Sequence, residues 1–567
     1  MKHYILSLFA SFFILTGCVE LNLNPLTDGS SENWFSSVEE IEMALNELYG
    51  EDYWYFDTYR YYNSDRWTDD WNQREYVYDY LKGEVSSTWG DTKKHYGRFY
   101  KAVARANTII EGVGKFSENL TQQQINQYLA EASFFRAVAY SYLIFLYGDV
   151  PFYTEWISLD EAYAKGKTPK KDILEQIYTD FDTAISHLPS SYNSLKRVTK
   201  GAAYAFKART ALWNSDWDIC AKACRGCIST GEFELEKDFS KAVSTETKGS
   251  REFIFYIPRS AALTPIDKLN KVTSYYPRIL GGTANAQPSI DAFCAFLCDD
   301  GKTIDKSSVY DPIHPFEHRD PRLKASFVEF GTELLGSVID PRPWVTTVTK
   351  NGTSVKNKDN RVIDEYASYN GLTLRKGVTE DWVDDKTHTG DIVIMRYANI
   401  FLMLAEAKCE LGEIDDEARE AINKVRARAY GVDFRSESYP AVTTSDQDEF
   451  RTTVRIERRM ELMFENHRFF DIIRWRIAEK ALDKPMVGIM PSKLKLVEKG
   501  DESAWFFPET PVPTVDKDGV VDLKNTILGK NCFYQTAFGT FNERQYLFPF
   551  PAEEILICPN ITQNEGY

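Results

Sequence analysis

Two helix pairs written largely in small residues constrain this chain more than any other feature. From Gly201 to Trp213, Ala202, Ala205, Ala208, Ala211 and Leu212 recur at helical spacings. A short polar turn leads into a second helix, Trp217 to Ile228, which carries Ala221 and Ala223 and is closed by Gly231. Side chains this small let two helix axes approach closely, so the segment predicts a tight antiparallel pair. The pattern returns near the C-terminus. Ile392 to Leu411, with Tyr397, Phe401, Leu404 and Ala405, turns at Gly412 into Asp415 to Tyr430, with Ala418, Ala421, Ile422 and Val425.

Other helices are expected around these pairs. Phe35, Val38, Ile41, Leu45 and Leu48 recur between Trp34 and Gly50. A longer block from about Thr88 to Tyr147 is expected to divide at Gly112 and Gly114 and to stop at Gly148-Asp149-Val150-Pro151. Ile173, Ile177, Phe181, Ala184 and Leu188 mark one more helix, and a last one is expected from about Asp448 to Leu482. Between them, residues 232–390 and 484–550 are rich in Gly, Pro, Asn, Thr and Asp, and stretches that long are usually functional. The expectation is a mostly α, single domain over residues 34–567, with paired helices as scaffold for a large, loop-rich, irregular ligand-binding face. The pairs resemble the helix-turn-helix unit of tetratricopeptide repeats, although their separation in sequence excludes a plain solenoid.

Charge and composition remove several function classes. With 84 acidic and 67 basic residues, the formal charge of -17 repels phosphate backbones, so no nucleic-acid partner is expected. The seven histidines form no HExxH pair, and no metal or other cofactor is expected. Nine cysteines lack the distribution of a disulfide scaffold, and most are expected to be buried thiols. Aromatic residues make up 14% of the chain, enough to leave rings for ligand stacking.

The N-terminus sets the expected compartment. Lys2 and His3 precede an apolar run from Tyr4 to Leu15, too short to span a bilayer and suited to a signal peptide. Leu15-Thr16-Gly17-Cys18 matches the bacterial lipoprotein processing box. Residues 1–17 are then a signal peptide, Cys18 the acylated (palmitate-bearing) N-terminus, and residues 18–33 a polar tether. No other segment approaches the length of a membrane-spanning helix.

Four segments carry a family resemblance. They are EASFFRAVAYSYLIFLYGDVP (131–151), Arg319-Asp320-Pro321-Arg322-Leu323, the pairing of RYANIFLMLAEAKCELG (396–412) with ERRMELMFENHRFFDIIRW (457–475), and YLFPFPAEEI followed by PNITQNEGY (559–567). Together they resemble the SusD-like (RagB/SusD) outer-membrane lipoproteins of nutrient uptake. Asn466, where Gly is common, and Glu565, where Pro is common, are neutral departures. The resemblance implies four tetratricopeptide-like helix pairs capping a SusC-like, TonB-dependent barrel, with oligosaccharides captured and passed on and no catalytic chemistry. An adaptor that merely lids the barrel and a glycoside hydrolase are the rival readings.

Several motifs compete for chemical roles. Arg458, Glu461, Glu465, Arg468, Asp471 and Arg474 are spaced for a ladder of ion pairs along one helix, which favours ionised carboxylates over an acid–base pair. Cys220, Cys224 and Cys227 spell CxxxCxxC, but on one helix face they cannot wrap a cluster. His314 and His318 are separated by Pro315, which spoils a helical metal pair, and Asp299-Asp300 and Asp384-Asp385 read as solvated loops. The aromatic-dense segment Tyr53 to Tyr80 is the strongest site candidate. Sugars need flat rings against their C–H faces and polar groups at their hydroxyl rims. Trp67 and Trp71 are the expected platforms, with Tyr62 beside them and Asp69, Asp70, Asn72 and Arg74 as polar partners. By family position, Trp344, Trp382 and Tyr310 are secondary candidates.

Overall fold

The computed structural model describes residues 34–567 except 51–52, 55–63, 75–76, 193–196, 243, 245–246, 260–271, 385–389, 498–504 and 507–511. Cys18 and Tyr62 therefore lie outside the described residues. The helices are α1 (Val38–Glu47), α2 (Gly90–Lys115), α3 (Gln122–Tyr147), α4 (Lys170–His187), α5 (Lys200–Trp213) and α6 (Trp217–Ser229), then α7 (Tyr397–Glu410), α8 (Asp416–Ala429), α9 (Gln447–Leu462) and α10 (Arg468–Arg474). Each of α2 to α7 packs on the next, and α7 also packs on α8 and α9, which makes a continuous layered scaffold. The 160-residue gap between the two sequence-identified pairs is bridged in space by the α6–α7 contact.

Local chemistry explains the helix ends and the close approaches. Thr121 and Gln124 form a reciprocal capping box at the start of α3. Gly148 ends that helix with φ 76° and ψ -124°, a conformation without a place for a Cβ. A Cβ on Gly226 of α6 would lie 2.4 Å from the Tyr204 ring of α5, and one on Gly201 would lie 2.4 Å from Phe233. Gly112 does not divide the second helix as expected: α2 runs through it to Lys115, and its bare face receives the Phe35 ring. The C-terminal expectations also shift. Ile392–Arg396 is a strand rather than the first turn of a helix. The helix predicted to Leu482 breaks after α9, where Phe464 (φ 64°) and Asn466 (φ 63°) take left-handed conformations. Gly suits that geometry and Asn tolerates it, which accounts for the neutral exchange at position 466.

The helix α3 passes the length and apolarity test for a membrane span, at a mean hydropathy of 1.3, yet 94% of that window is buried inside the protein. It is the central core helix of the scaffold. Cys220, Cys224 and Cys227 are likewise buried in this core, and burial pushes the Cys224 and Cys227 thiols up.

A second hydrophobic cluster gathers residues from 272–382 and 487–533 around Trp71, Met460 and Phe464. Its backbone is built from short antiparallel pieces. Strand β1 (Trp71–Gln73) pairs with β3 (Ala286–Pro288), and β2 (Phe253–Ile257) with β8 (Ile392–Arg396). A four-stranded meander follows, β4 (Thr332–Leu334), β5 (Ser337–Ile339), β6 (Thr347–Lys350) and β7 (Thr353–Lys356), and β9 (Pro485–Ile489) pairs with Phe533–Phe538.

Buried ion pairs fasten this half to the helices. Arg322 is fully buried, chelates Asp320 and reaches Glu457 Oε1 at 2.7 Å and Glu461 Oε2 at 3.0 Å. Arg396, at the end of β8, reaches Glu252 (2.9 Å), Glu461 (2.6 Å) and Glu465 (2.6 Å), and Arg428 of α8 closes on Glu252 and Glu461. The expected ladder along one helix is thus replaced by tertiary pairs; of that set only Arg474–Asp471 (2.8 Å) is local. Burial raises the Glu461 carboxyl, but Arg428, Arg396 and Arg322 outweigh it and hold the group well below the carboxylate range. Glu465, opposed by Arg396 and Lys376, sits at about 2. These carboxylates are ionised struts, not proton donors.

Candidate functional site

The fold decides which aromatic rings a ligand can reach. In the second half, the loop after β5 carries Arg342 and Trp344, the segment before β4 carries Glu329 and Phe330, and the stretch 313–317 supplies Ile313, His314, Phe316 and Glu317. Together with Trp505 these residues line a cleft of about 200 Å³. The Trp344 and Trp505 indoles stand 6.5 Å apart at 76°, and Phe330 lies 5.5 Å from Trp505 and 4.9 Å from Phe316. Trp505 and Phe316 are anchored in the core, whereas Trp344 and Phe330 are only half-buried.

Two asparagine side chains pin the loop that holds Trp344. Asn360 donates its side-chain N–H groups to the carbonyls of Arg342, Pro343 and Val345 at 3.0 Å each, and Asn357 does the same for Asp340 and Val345. Arg342 chelates Asp340 through Nε (2.8 Å) and Nη2 (2.5 Å), and Glu329 pairs with Lys324 at 2.9 Å. Flat apolar walls with hydrogen-bonding and charged groups at their edge can stack on a ring-shaped polyol and bind its hydroxyls.

The sequence-derived residues fare unequally. Trp67 is 1% exposed and packs against Tyr80, Trp89, Phe469 and Phe548, with centroids 5.3–5.9 Å away. Trp71 is 3% exposed, against Phe464 and Tyr275. Neither can serve as a platform, because each ring is enclosed by others contributed from distant parts of the chain. Asp69 and Asp70 are buried as well: Arg468 grips Asp69 with two bonds of 2.9 Å and Arg459 reaches Asp70 at 2.6 Å, so their charges are already neutralised. Trp382 is completely buried in the second cluster.

Others stay in play. Asn72 donates to the Val487 carbonyl at 3.2 Å, Arg74 is half-buried at the end of β1, and Tyr310 is packed over Arg319, whose guanidinium carbon lies 5.3 Å from its ring centroid. Of the candidate rings among the described residues, Trp344 alone lines this cleft. His314 also lines it, while His318 turns away to Asp299 (3.1 Å). Trp505, Phe330, Arg342, Glu317 and Glu329 escaped sequence reasoning. The Trp505-Phe506 pair inside an irregular stretch was the one available signal, and it carries no spacing that points to a partner.

Comparison with known proteins gives the architecture a family. A family model described as "SusD family" matches residues 252–567, and one described as "Starch-binding associating with outer membrane" matches residues 28–212. SusD-like protein P25 of Formosa agariphila is 26% identical over 407 residues, covering 70% of this chain and 71% of the relative. SusD-like protein P2 of the same organism is 24% identical over 514 residues, covering 85% and 92%. Among solved structures, a SusD-like carbohydrate binding protein from Bacteroides fragilis superposes with a TM-score of 0.75 at 24% identity, covering 94% of this chain and 100% of that one. Surface glycan-binding protein A from Bacteroides fluxus gives 0.60 at 19%, covering 94% and 100%. The first match alone takes in more than half of the sequence, and the chain belongs to the SusD family.

Proposed function

We propose that this protein is a cell-surface glycan-binding lipoprotein that captures oligosaccharides in the Trp344–Trp505 cleft and delivers them to a SusC-like, TonB-dependent outer-membrane barrel. The observation that carries the reading is the cleft itself, where indole and phenyl walls meet Glu317, Glu329, His314 and Arg342. The carbohydrate-binding relative from Bacteroides fragilis and the starch-binding description of the N-terminal match support the ligand class. The processing box at Cys18 and the phrase "associating with outer membrane" support an acylated anchor.

Capture and release need no bond broken. The two carboxylates at the cleft, Glu317 and Glu329, are the feature among the described residues that favours a hydrolase, and Glu329 is engaged by Lys324 at 2.9 Å. For the barrel, support comes from apolar side chains left outside. Leu159 and Tyr163 on one short helix and Leu556 and Ile557 on another are exposed, and the two segments are tied by Asn560 donating to the Ala164 carbonyl at 2.7 Å.

Isothermal titration of the wild type and Trp344→Ala against a glycan panel tests the ligand. Binding lost in the variant supports the cleft; equal binding in both removes it. Reducing-sugar release from any panel polymer would establish the hydrolase instead. Palmitate labelling that vanishes in Cys18→Ser, and co-purification of the barrel, test the anchor and the partner.

A further inference from the structure

Three arginines grip one turn on the same half of the molecule. Arg74 Nη1 donates to the carbonyls of Thr283 (2.8 Å) and Tyr366 (2.5 Å), and Arg361 Nη1 donates to the next carbonyl, that of Ala367 (3.4 Å). Arg278 Nη2 stands 3.4 Å from the Asp364 carboxylate. Two phenol rings complete the group. Tyr366 is 46% exposed and has the guanidinium carbons of Arg74 and Arg278 at 5.2 and 5.6 Å from its centroid, while that of Arg361 lies 3.8 Å from the Tyr369 centroid.

The charges here are not all spoken for. Asp364 is shared with Arg278, and the buried Asp359 is occupied by the backbone N–H groups of Arg278 (2.7 Å) and Ile279 (3.1 Å). Glu365 is exposed beside Tyr366. Arg361 makes no ion pair among the described residues; its Nη1 is on the Ala367 carbonyl, and its Nε, without a hydrogen-bond partner, is itself buried. Three guanidinium groups thus gather over the two rings of one turn. Such a fork fits carboxylates and sulfates through paired N–H bonds, which a lone ammonium cannot match.

The turn is joined to the cleft through the chain on both sides. Asn360, next to Arg361, is the residue that pins the Trp344 loop, and a Cβ on Gly371, two residues beyond Tyr369, would lie 3.3 Å from the Trp505 ring. We infer that the Arg361–Tyr366 turn is a subsite for an anionic sugar, a uronic acid or a sulfate ester, in a glycan whose neighbouring units occupy the Trp344–Trp505 cleft. This rests on the glycan-binding reading and narrows it to acidic polymers.

Native affinity electrophoresis provides the test. The full chain is run through gels holding polygalacturonate or alginate (carboxylate), carrageenan or dextran sulfate (sulfate ester), or xyloglucan or galactomannan (neutral). At least one anionic polymer should retard it more than any neutral one, and the retardation should weaken as NaCl is raised. Arg361→Gln and Tyr366→Ala should each weaken that binding about tenfold or more, the scale of hydrogen bonds to a charged group. Arg361→Lys should restore only part of it, and all variants should keep the wild-type melting temperature to within a few degrees. Which anionic gels respond separates carboxylate from sulfate. Binding to neutral polymers alone, or anionic binding unchanged in both Arg361→Gln and Tyr366→Ala, overturns the subsite and leaves the general reading intact. No retardation in any gel overturns both.

Discussion

The Trp344 indole meets the Trp505 indole edge to face, 6.5 Å between centroids and 76° between planes, with Trp505 sealed in the core and Trp344 half open. One ring is therefore structure and the other is available for contact. Trp344→Ala is expected to cost roughly 1–3 kcal/mol of glycan affinity, the range of an aromatic anchor, with little change in melting temperature. Trp505→Ala should instead destabilise the second core by about 3–5 kcal/mol. Titration calorimetry beside thermal unfolding distinguishes the two.

Trp67 gives the opposite outcome. Enclosed by Tyr80, Trp89, Phe469 and Phe548, its replacement by Ala should remove about 3–5 kcal/mol of stability. Glycan affinity per folded molecule should not move. A shifted dissociation constant at a temperature where the variant is fully folded would return Trp67 to the site.

Glu461 is held by Arg322, Arg396 and Arg428, and Glu461→Gln takes one charged partner from each of three buried guanidinium groups. A loss of about 3–5 kcal/mol is expected in denaturant titration, as for other broken buried pairs. The network also sets an acid limit. Burial raises the Glu465 carboxyl but Arg396 and Lys376 carry it down from 4.5 to about 2, so the stability it contributes is complete above its unfolded value and is lost as pH falls from about 4.5 toward 2.

Asp65 works in the other direction. Burial first, then Asp70 and Glu465, push its carboxyl from 3.8 to about 8, with one oxygen accepting the Asn466 backbone N–H at 2.8 Å and the other without a partner. The folded state holds this proton where the unfolded chain has lost it, so the contribution is full below about pH 4 and disappears as pH rises to about 8. Asp65→Asn keeps the accepting oxygen and removes the titration. Melting temperature measured from pH 5 to 9 should decline less steeply in the variant; parallel curves would count against the assignment.

Gly226→Ala places a methyl group 2.4 Å from the Tyr204 ring, at a helix contact with no slack. Overpacking of this kind is expected to cost about 1–3 kcal/mol, although Ala favours a helix by itself. A neutral or stabilising change in denaturant midpoint would show that the α5–α6 contact relaxes easily.

Much of the scaffold was legible because helices are written in short-range spacing. The Ala202–Ala211 run and its partner around Ala221 gave α5 and α6 nearly to the residue. The errors arose where a local signal had a tertiary cause. Gly112 looked like a break and is a seat for Phe35; the charged stretch 458–474 looked like an intrahelical ladder and is a junction between the two halves of the molecule. Within the site, Trp344 was ranked behind Trp67 and Trp71 because aromatic density marks large rings without saying which way they face.

From its sequence alone this chain had its helical pairs and their turn residues, which are encoded within a few neighbouring positions, and its net negative charge and family kinship, which are read along the chain without its fold. The tertiary structure decided which tryptophans are core and which line a cleft. Burial depends on what the rest of the chain brings alongside: Phe469 and Phe548 come from the far end of the sequence to enclose Trp67, whereas a loop pinned by Asn360 leaves Trp344 beside Trp505 with part of its ring uncovered.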